Sequence, residues 1–461
     1  MQFDELARIT GGQLRRPETG AELFRGVSHD SRVVESGQLF IAVRGQRVDG
    51  HRFIDNAIAA GAAGIILEQS FANIDDVASK TPVVAVKDSH EAMMVLAEHY
   101  RSQCRAKIVG ITGSNGKTTT KELTYRLIAA VESNVYRSPG NFNNLFGMPL
   151  ALFAMSQDAE AAVMEMGISI PGEMTRLTRI VRPDVIVITN VGPSHLQYLE
   201  SVEGVARAKL EMVSASPPDT PVIVNGDDPV LMKEASKLRS DLITFGLEGD
   251  RTYRPDGVET GEDGVPVVTI ESHRFRLPLF GRYQTANLLA AYAAFRTLGY
   301  DASGINTETI ELATAPMRGE VLHLRGVTFV ADCYNANPDS MASALDSFEQ
   351  RPDGLRRVVI LGDMLELGAK EKDYHRDLGR RAAGMTCDLL VLVGPLSRHA
   401  ADAAIKAGVA PEIVRHYDTA EACGTAMLHT LKEGDLVLVK ASRGTGLEQV
   451  IDIWTSAEGD R

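Results

Sequence analysis

The chain has 461 residues, of which 44% are hydrophobic and 24% are charged, an ordinary globular balance that argues against disorder over most of the length. Because a single hydrophobic core rarely grows beyond about 250–300 residues, the length predicts two or three domains. The 61 acidic and 48 basic residues give a net charge of −13, which counts against a protein whose whole surface binds nucleic acid.

The first region, residues 1–104, alternates short apolar runs with helical patterns, which predicts a small α/β domain. The runs are Leu39–Val43, Gly64–Leu67 and Val83–Val86, and the helical patterns are Phe53–Ala60 and Ser89–Tyr100. Two loops, His29–Arg32 and Arg44–His51, concentrate Arg, Gly and His. These loops could form a cradle for a pyrophosphate, or they could be two solvated loops.

The second region, residues 105–316, has the pattern of a parallel sheet with crossover helices. Buried strands are predicted at Ile108–Thr112, Ala161–Glu165, Val185–Thr189 and Val222–Asn225. Helices are predicted at Thr118–Val131, Glu203–Val213 and Gln284–Leu298. We interpret residues 250–272, which are rich in Gly, Asp and Glu, as a hairpin excursion within this domain.

The third region, residues 317–461, repeats the α/β alternation. Its predicted strands are Val327–Asp332, Arg357–Leu361, Leu389–Val393 and Leu436–Lys440. The fold class is therefore predicted to be α/β, with three domains and a central parallel sheet of P-loop type.

A glycine-rich turn after the first strand of the second region carries the strongest chemical signal. It consists of Gly113, Ser114, Asn115, Gly116, Lys117, Thr118 and Thr119. A phosphate chain needs a loop of small residues, a cation and a hydroxyl group for Mg²⁺, which the glycines, Lys117 and Thr118 supply. The turn departs from the generic Walker pattern because Ile111 takes the place of its first glycine. A chance Gly-Lys-Thr is the alternative, but the strand before it and the helix after it favour nucleotide binding.

Two side chains at strand ends are candidate magnesium ligands. Glu165 ends a predicted strand, and Mg²⁺ held by phosphates usually needs such a carboxylate. His195 follows the next strand, where α/β sheets place ligands. A surface glutamate and a structural histidine are the alternatives. Lys209, within a helical segment, has by its pattern alone the character of a solvated helix lysine.

Two turns of the third region are polar. Asp332, Tyr334, Asn335 and Asn337 lie in a turn that could be simply polar, or whose tyrosine and two asparagines could form hydrogen bonds to a ligand. Lys440–Gly446 is a strand followed by a glycine turn, which could hold an anion such as a carboxylate or be an ordinary turn.

Cysteine spacing and the amino terminus indicate the compartment. The cysteines are far apart in the chain, at Cys104, Cys333, Cys387 and Cys423. We therefore expect reduced thiols, with neither a zinc site nor a disulfide scaffold. Met1–Glu5 does not have the pattern of a signal peptide, and apolar stretches such as Ile58–Leu67 are shorter than the roughly 20 helical residues that span a bilayer. A cytoplasmic protein without membrane insertion is expected.

Together these segments resemble the Mur ligases of bacterial peptidoglycan synthesis, over nearly the whole chain and in the family's order. His29–Arg32 and Asp49–His51 resemble the family's UDP-sugar domain, and Gly113–Thr119 resembles its ATP loop. Further likeness, to the branch that adds a dipeptide, lies in Gly140–Asn144, Tyr334–Pro338 and Gly362–Gly368. The Asp-Asn-Pro-Arg segment typical of MurE is absent.

The resemblance implies a UDP-sugar-binding domain over residues 1–104, an ATP-binding domain over 105–316 and a Rossmann-like domain over 317–461. It implies ATP-dependent joining of D-alanyl-D-alanine to UDP-N-acetylmuramoyl-tripeptide through an acyl phosphate. ATP and Mg²⁺ are the implied cofactors, and a monomer with no nucleic-acid partner is expected. The alternatives are another ligase of the superfamily, such as MurE or a folate-type polyglutamate ligase, and a P-loop phosphotransferase or nucleotide-gated binding protein.

The resemblance also implies roles for individual residues. The catalytic residues would be Lys117, Lys209 and His195. The Mg²⁺ ligands would be Thr118, Glu165, His195 and Lys209, the last as a carbamate. Besides the loop, the nucleotide would contact Asn287, Arg318, Asp332, Tyr334 and Asn335. The substrates would contact Ser31, Arg32, Asp49, His51, Asn143, Asn144, Lys440, Ser442 and Arg443, and His375 matches a further family position in the third domain.

Overall fold

The computed structural model describes residues 1–17, 20–45, 48–260, 265–281, 283–305, 315–350 and 355–457. Gln46 and Arg47, which belong to the basic loop predicted at Arg44–His51, lie outside the described residues. Within those ranges, the strands form a sheet in each of the three predicted regions and one further small sheet.

The first sheet has the order β1-β5-β4-β3-β2, with β1 antiparallel to β5 and the other pairs parallel. Its strands are β1 (Gln13–Arg15), β2 (Val27–Ser28), β3 (Leu39–Ile41), β4 (Gly64–Glu68) and β5 (Val83–Val86). The helices of this region are α1 (Phe3–Thr10), α2 (Ile54–Ala59), α3 (Ile74–Lys80) and α4 (Ser89–Ser102), with a 3-10 turn at Gly50–Phe53. Helix α4 begins where the Asp88 carboxylate accepts the N–H of Glu91, which satisfies one of the unpaired donors of its first turn.

The second sheet is parallel throughout, as predicted, in the order β11-β10-β9-β6-β8-β7. Its strands are β6 (Lys107–Thr112), β7 (Val135–Arg137), β8 (Ala161–Glu165), β9 (Val185–Ile188), β10 (Val222–Asn225) and β11 (Ile243–Phe245). The excursion, predicted as a hairpin over residues 250–272, is a three-stranded antiparallel sheet of β12 (Gly257–Thr260), β13 (Pro266–Ile270) and β14 (His273–Arg276). Residues 261–264 of that prediction lie outside the described residues. The helices are α5 (Lys117–Ala129), α6 (Gly147–Phe153), α7 (Glu173–Val181), α8 (Leu196–Leu199), α9 (Val202–Ser214), α10 (Pro229–Ala235) and α11 (Tyr283–Thr297).

Strand β6 lies between β9 and β8. The chain connections on the two sides of β6 run in opposite directions across the sheet, which makes this position a topological switch point. Open α/β sheets bind their ligands at such a point, beyond the carboxyl ends of the strands. Helices α5 and α11 pack together on one face of this sheet, where Ile111, Leu288 and Tyr292 are fully buried. This packing places the start of α11 beside the loop that follows β6.

The third sheet has the order β15-β16-β20-β17-β18-β19, and only its edge strand β15 is antiparallel among the described residues. Its strands are β15 (Glu320–Leu324), β16 (Val327–Ala331), β17 (Arg357–Gly362), β18 (Leu389–Val393), β19 (Val414–Tyr417) and β20 (Leu436–Lys440). The helices are α12 (Pro338–Glu349), α13 (Glu371–Ala382), α14 (Ser397–Lys406), α15 (Ala420–Leu428) and α16 (Gln449–Ser456). The α/β fold class predicted from the sequence is confirmed.

In the described ranges, no helix combines the length and the apolar character needed to cross a membrane.

Candidate active site

The loop between β6 and α5 has, at two positions, a backbone conformation that favours glycine. Gly113 has φ +155° and Gly116 has φ +79°. A Cβ on Gly113 would lie 1.8 Å from Thr189 Oγ1, and one on Gly116 would lie 2.1 Å from Asn287 Oδ1. Gly116 is the N-cap of α5 and no side chain caps this helix, so its first-turn N–H groups are available to an anion.

The loop after β9 holds this glycine loop in shape. Asn190 Oδ1 accepts the N–H of Asn115 at 2.9 Å, and Asn190 Nδ2 donates to the carbonyl of Asn115 at 3.1 Å. Ser114 Oγ accepts the N–H of Gly192 at 3.0 Å and lies 3.0 Å from Ser194 Oγ. Two neighbouring strand ends therefore fix a single backbone conformation for the phosphate-binding loop.

Two lysine side chains converge on the same loop carbonyl. Lys117 Nζ donates to Gly113 O at 2.7 Å and to Ser114 O at 3.2 Å, and Lys209 Nζ donates to Gly113 O at 2.9 Å. Lys209 is only 2% exposed. Burial, reinforced by the positive charge of Lys117, holds the pKa of Lys209 well below its ordinary value. Burial also lowers the pKa of Lys117, an effect that Glu165 opposes and Arg318 reinforces.

Glu165, at the end of β8, is buried among polar partners. Its Oε2 accepts the hydroxyl of Thr118 at 2.6 Å, and its Oε1 accepts Asn143 Nδ2 at 2.8 Å. The fully buried ammonium of Lys121 lies 3.9 Å from Oε2 and donates to the Ser138 carbonyl at 2.9 Å. A hydroxyl and a carboxylate in contact beside a phosphate loop are the hard oxygen donors that Mg²⁺ takes together with phosphates, so these residues fit that ion.

His195 is the N-cap of α8 and has a left-handed backbone, with φ +52°. Its Nδ1 lies 3.0 Å from Oε2 of Glu366, which comes from the loop after β17. Burial lowers the pKa of His195, Glu366 opposes this, and Lys117 and Lys209 reinforce it. Among the described residues, no three His, Cys, Asp or Glu side chains form a cluster that could hold a metal ion alone.

The third sheet contributes a second set of polar groups. Lys440 Nζ donates to Asp332 Oδ2 at 2.6 Å and to the Asn335 carbonyl at 3.4 Å. Tyr283 donates its hydroxyl to the same Asp332 oxygen at 3.3 Å. The Arg318 guanidinium lies 3.8 Å above the ring of Tyr334. Lys440 is thus held by protein groups.

The start of α11 and the start of α12 reach the phosphate loop from two sides. Asn287 is buried, donates to Gln284 Oε1 at 2.8 Å and accepts the Thr120 hydroxyl at 3.5 Å. Asn337, the N-cap of α12, donates through Nδ2 to Asn115 Oδ1 at 2.8 Å. The second and third regions are therefore joined by hydrogen bonds at the loop itself.

A cavity of about 1540 Å³ opens in front of this loop. The predicted residues that line it are Ser114, Asn115, Gly116, Lys117, Thr118, Thr119, Asn143, Asn144, Glu165, His195, Asn287, Arg318, Asp332, Tyr334, Asn335 and Lys440. The first region contributes His90, whose ring stacks on Phe146 with centroids 4.1 Å apart. Side chains from all three regions therefore face one space.

The four predicted first-region contacts do not line this cavity. His51 Nδ1 lies 2.7 Å from Asp49 Oδ1, and His51 Nε2 accepts the N–H of Glu68 at 3.0 Å, so both ring nitrogens are used locally. Arg32 pairs with Asp30 at 2.6 Å, and this hydrogen-bonded partner lowers the pKa of Asp30 to about 2. Ser31 lies between them in the chain. A role for these residues in substrate binding stays a prediction.

The side chains of Ser442 and His375 form hydrogen bonds to backbone groups. Ser442 Oγ donates to Ala336 O at 3.0 Å and accepts the N–H of Leu365 at 3.0 Å. His375 is fully buried, and its Nε2 accepts the N–H of Met364 at 3.0 Å. Both side chains thus secure the segment that leads to Glu366. Arg443 lies outside the cavity lining, with its guanidinium 5.5 Å from the Tyr334 ring centroid.

Reasoning from the sequence did not identify Lys121 or Asn190 as parts of the site, it gave Glu366 no role, and it placed Asn337 in a candidate ligand-binding turn without its contact to the phosphate loop. Lys121 follows Lys117 by four residues, so helical spacing could have placed it on the same face of α5. Asn190 directly follows a predicted strand, which is the position that drew attention to His195. Nothing in the local pattern indicates that Asn337 and Glu366 reach another region.

Three protein-family profiles match successive parts of the chain: the Mur ligase family catalytic domain over residues 23–101, the Mur ligase middle domain over 111–295, and the Mur ligase glutamate ligase domain over 317–443. The UDP-N-acetylmuramoyl-tripeptide–D-alanyl-D-alanine ligase of Bacillus subtilis (strain 168) is 34% identical over 449 residues, which are 97% of this chain and 96% of that protein.

Two solved structures are similar along almost their whole length. MurF from Acinetobacter baumannii superposes with a TM-score of 0.85 at 28% identity, covering 98% of both chains. The MurF ligase from Thermotoga maritima, in complex with ADP, superposes with a TM-score of 0.81 at 30% identity, covering 94% of this chain and 97% of that one.

Proposed function

Because the chain belongs to the Mur ligase family, we propose that it joins D-alanyl-D-alanine to UDP-N-acetylmuramoyl-tripeptide in a reaction driven by ATP. The family resemblance that the sequence indicates is confirmed. The two substrates are those in the name of the Bacillus subtilis relative, which matches 97% of this chain. The chain is thus an ATP-dependent acid–amino-acid ligase of peptidoglycan precursor synthesis.

The observation that carries the proposal is the single cavity in front of the phosphate loop. A ligase must bring a nucleotide, an acid and an amine together, and a cavity of about 1540 Å³ with walls from three regions has room for all of them. The loop supplies the unpaired N–H groups of α5 and the Lys117 ammonium for the phosphates. ATP is the nucleotide, in agreement with the ADP complex of the Thermotoga maritima ligase.

Magnesium fits the oxygen donors beside this loop. Thr118 and Glu165 would hold the ion together with the phosphates, and His195 and Lys209 complete the set expected from the sequence. When bound, Mg²⁺ neutralises phosphate charge and so favours attack on the γ-phosphorus.

The reaction has two steps. The terminal carboxylate of the tripeptide attacks the γ-phosphorus of ATP, which breaks the bond to the β-phosphate bridging oxygen and yields an acyl phosphate and ADP. The amine of D-alanyl-D-alanine then attacks the acyl carbon, phosphate leaves with the C–O bond electrons, and the amine proton passes to solvent. Lys117 and the loop N–H groups hold the transferring phosphate, and the contact between the second and third regions excludes the water that would hydrolyse the acyl phosphate.

The division of labour among the regions is part of the proposal. Residues 1–104 bind the UDP end of the precursor, residues 105–316 bind ATP, and residues 317–461 bring the dipeptide. Support for the last assignment comes from the cavity wall of the third region, where Asn335 and Lys440 face the space beside the loop. We further propose that the protein works as a monomer in the cytoplasm, where ATP is made. Light scattering after gel filtration tests the monomer.

An acceptor-by-acceptor assay tests the function. Phosphate release from ATP is measured with the UDP-tripeptide and, in turn, D-alanyl-D-alanine, D-alanine, L-alanyl-L-alanine, meso-diaminopimelate and glutamate. We expect release only with the tripeptide and D-alanyl-D-alanine together. Lys117→Met should abolish it, whereas Lys107→Met, which changes an exposed lysine of the same strand and loop unit, should not.

Two outcomes would refute the assignment. Turnover with a single amino acid in place of the dipeptide would point to a different ligase of the superfamily. ATP turnover that is independent of any amine acceptor would point to a phosphotransferase.

A further inference from the structure

His195 and Glu366 form a contact between the second and third regions, and both residues have an unusual backbone conformation. The imidazole Nδ1 and the carboxylate Oε2 lie 3.0 Å apart. His195 has φ +52° and Glu366 has φ +63°, in the left-handed region that non-glycine residues rarely adopt. Such conformations persist only where the surroundings impose them, and they cluster at functional sites. Here the two residues with left-handed backbones, His195 and Glu366, contact each other.

The surroundings that impose the Glu366 conformation are visible. The N–H of Met364 is held by the fully buried His375, and the N–H of Leu365 by Ser442. These two bonds fix the segment immediately before Glu366. The Glu366 side chain is nevertheless 72% exposed, so the pair is screened by water and contributes little to stability. A conformation that is enforced without a gain in stability points to a chemical role.

We propose that Glu366 is a positioning residue for His195: it orients the imidazole so that Nε2 faces the metal beside the phosphate loop. Histidines that ligate metals almost always direct their second ring nitrogen at a carboxylate, a carbonyl or water, which fixes the tautomer and the ring orientation. The negative charge beside Nδ1 favours a proton on that nitrogen and leaves the lone pair on Nε2. Among the described residues, Nε2 has no hydrogen-bonding partner that would compete.

The contact crosses from one region to another, which gives it a further consequence. His195 belongs to the second region and Glu366 to the third, so the imidazole is held in this orientation only when the two regions are in contact. The hydrogen bond of Asn337 to Asn115 joins the same regions at the loop. Docking of the third region thus orients a ligand for the ion at the site where ATP is cleaved. This inference rests on the proposed function, because it takes His195 as a ligand of that ion.

Manganese binding tests the proposal without turnover. Mn²⁺ takes the same oxygen and nitrogen donors as Mg²⁺ and is detected by electron paramagnetic resonance, so its affinity is titrated in the presence of ADP. Glu366→Ala should weaken Mn²⁺ binding by about tenfold, within the range for loss of an outer-sphere partner. Glu366→Gln retains an acceptor oxygen and should lie between the alanine variant and the wild type. Asp377→Asn, which removes an exposed carboxylate of α13, should match the wild type.

Each outcome of the Mn²⁺ titration either supports or overturns the proposal. A graded loss of Mn²⁺ affinity with unchanged binding of ADP in EDTA supports the positioning role, and an unchanged melting temperature shows that the variants are folded. Equal Mn²⁺ affinity in all variants would overturn it. So would a loss confined to the KM for D-alanyl-D-alanine, which would place Glu366 at the amine. Product formation by the wild type is measured separately, so a chain that binds Mn²⁺ but forms no amide would refute the ligase assignment alone.

Discussion

The amine groups of Lys117 and Lys209 donate to one acceptor, the carbonyl oxygen of Gly113, at 2.7 Å and 2.9 Å. Burial removes the hydration of the Lys209 ammonium, and repulsion by the neighbouring ammonium of Lys117 adds to this. Both effects lower the pKa of Lys209, whose side chain is almost fully buried. A neutral amine is the form that reacts with CO₂, so this pair provides the physical condition for the carbamate that the family resemblance implies.

Replacement of Lys209 by Ala is the first prediction. In the carbamylation that the family resemblance implies, the amine lone pair would attack the carbon of CO₂, a proton would leave to solvent, and the resulting carbamate would supply an anion beside Lys117. Lys209→Ala removes this anion and should lower the turnover rate by at least about 100-fold, and added bicarbonate should not restore it. Phosphate release measures the rate.

The control for this variant is Lys107→Ala, which changes an exposed lysine at the start of β6 and should leave turnover unchanged. The carbamate itself is sought by ¹³C NMR after incubation with ¹³C-bicarbonate, which should give a carbamate resonance in the wild type and none in Lys209→Ala. Near-normal turnover in the alanine variant would eliminate this role.

Nucleotide affinity should depend on the space at Gly116. An added Cβ would lie 2.1 Å from Asn287 Oδ1, at a φ of +79° that costs a residue with a side chain about 1–2 kcal/mol. Gly116→Ala should therefore distort the loop and weaken ADP binding by about tenfold or more, as measured by calorimetry. Gly408→Ala is the matched control, since Gly408 has φ +108° with no atom within 4 Å of the added Cβ. Equal ADP affinity in the two variants would contradict a steric requirement at the loop.

The sequence predicted best those elements that are buried on both faces. Strands β8, β10 and β18 have the predicted bounds, because a central parallel strand is a continuous apolar run. The edge strands β2 and β7 were not predicted, since two or three residues carry too little pattern. The glycine loop was found because its spacing and its strand–helix context are local.

The contacts that could not be predicted from the sequence join residues that are far apart in the chain. Its helical pattern assigned Lys209 to a solvated face, but the structure buries it against Gly113, 96 residues earlier in the chain. Asn337 reaches Asn115 across 222 residues. Such contacts depend on how whole sheets dock, which no local periodicity records. The predicted roles of individual residues in substrate binding accordingly stay predictions for experiment.

The buried pair of Lys440 and Asp332 should matter for stability. Their charged atoms are 2.6 Å apart, and the side chains are 3% and 13% exposed. In Lys440→Met, the Asp332 carboxylate keeps only one side-chain donor among the described contacts, the Tyr283 hydroxyl. Loss of one partner of a buried ion pair costs about 3–5 kcal/mol. For a domain of about 150 residues, this lowers the melting temperature by about 6 °C or more.

Two further variants separate this effect from a general loss of packing. The double variant Lys440→Met with Asp332→Asn removes the unpaired charge and should recover part of the loss. Arg376→Met breaks an exposed pair with Asp373 and should shift the melting temperature by no more than about 4 °C, because surface pairs contribute at most about 1 kcal/mol. Similar melting temperatures for Lys440→Met and Arg376→Met would argue against a buried pair.

The thiols should differ in reactivity according to their burial. Burial raises the pKa of Cys333 and of Cys423 to about 12 each, so their thiolate fraction at pH 8 is about 10⁻⁴. Burial also raises the pKa of Cys387, but this residue is only half-buried. In the folded protein at pH 8 we therefore expect a disulfide reagent such as DTNB to label Cys387 first, with a rate that rises with pH as the thiolate fraction grows. Cys387→Ser should remove the fastest phase of the labelling reaction, and all four thiols should react in urea. Rapid labelling of Cys333 or Cys423 without denaturant would contradict their burial.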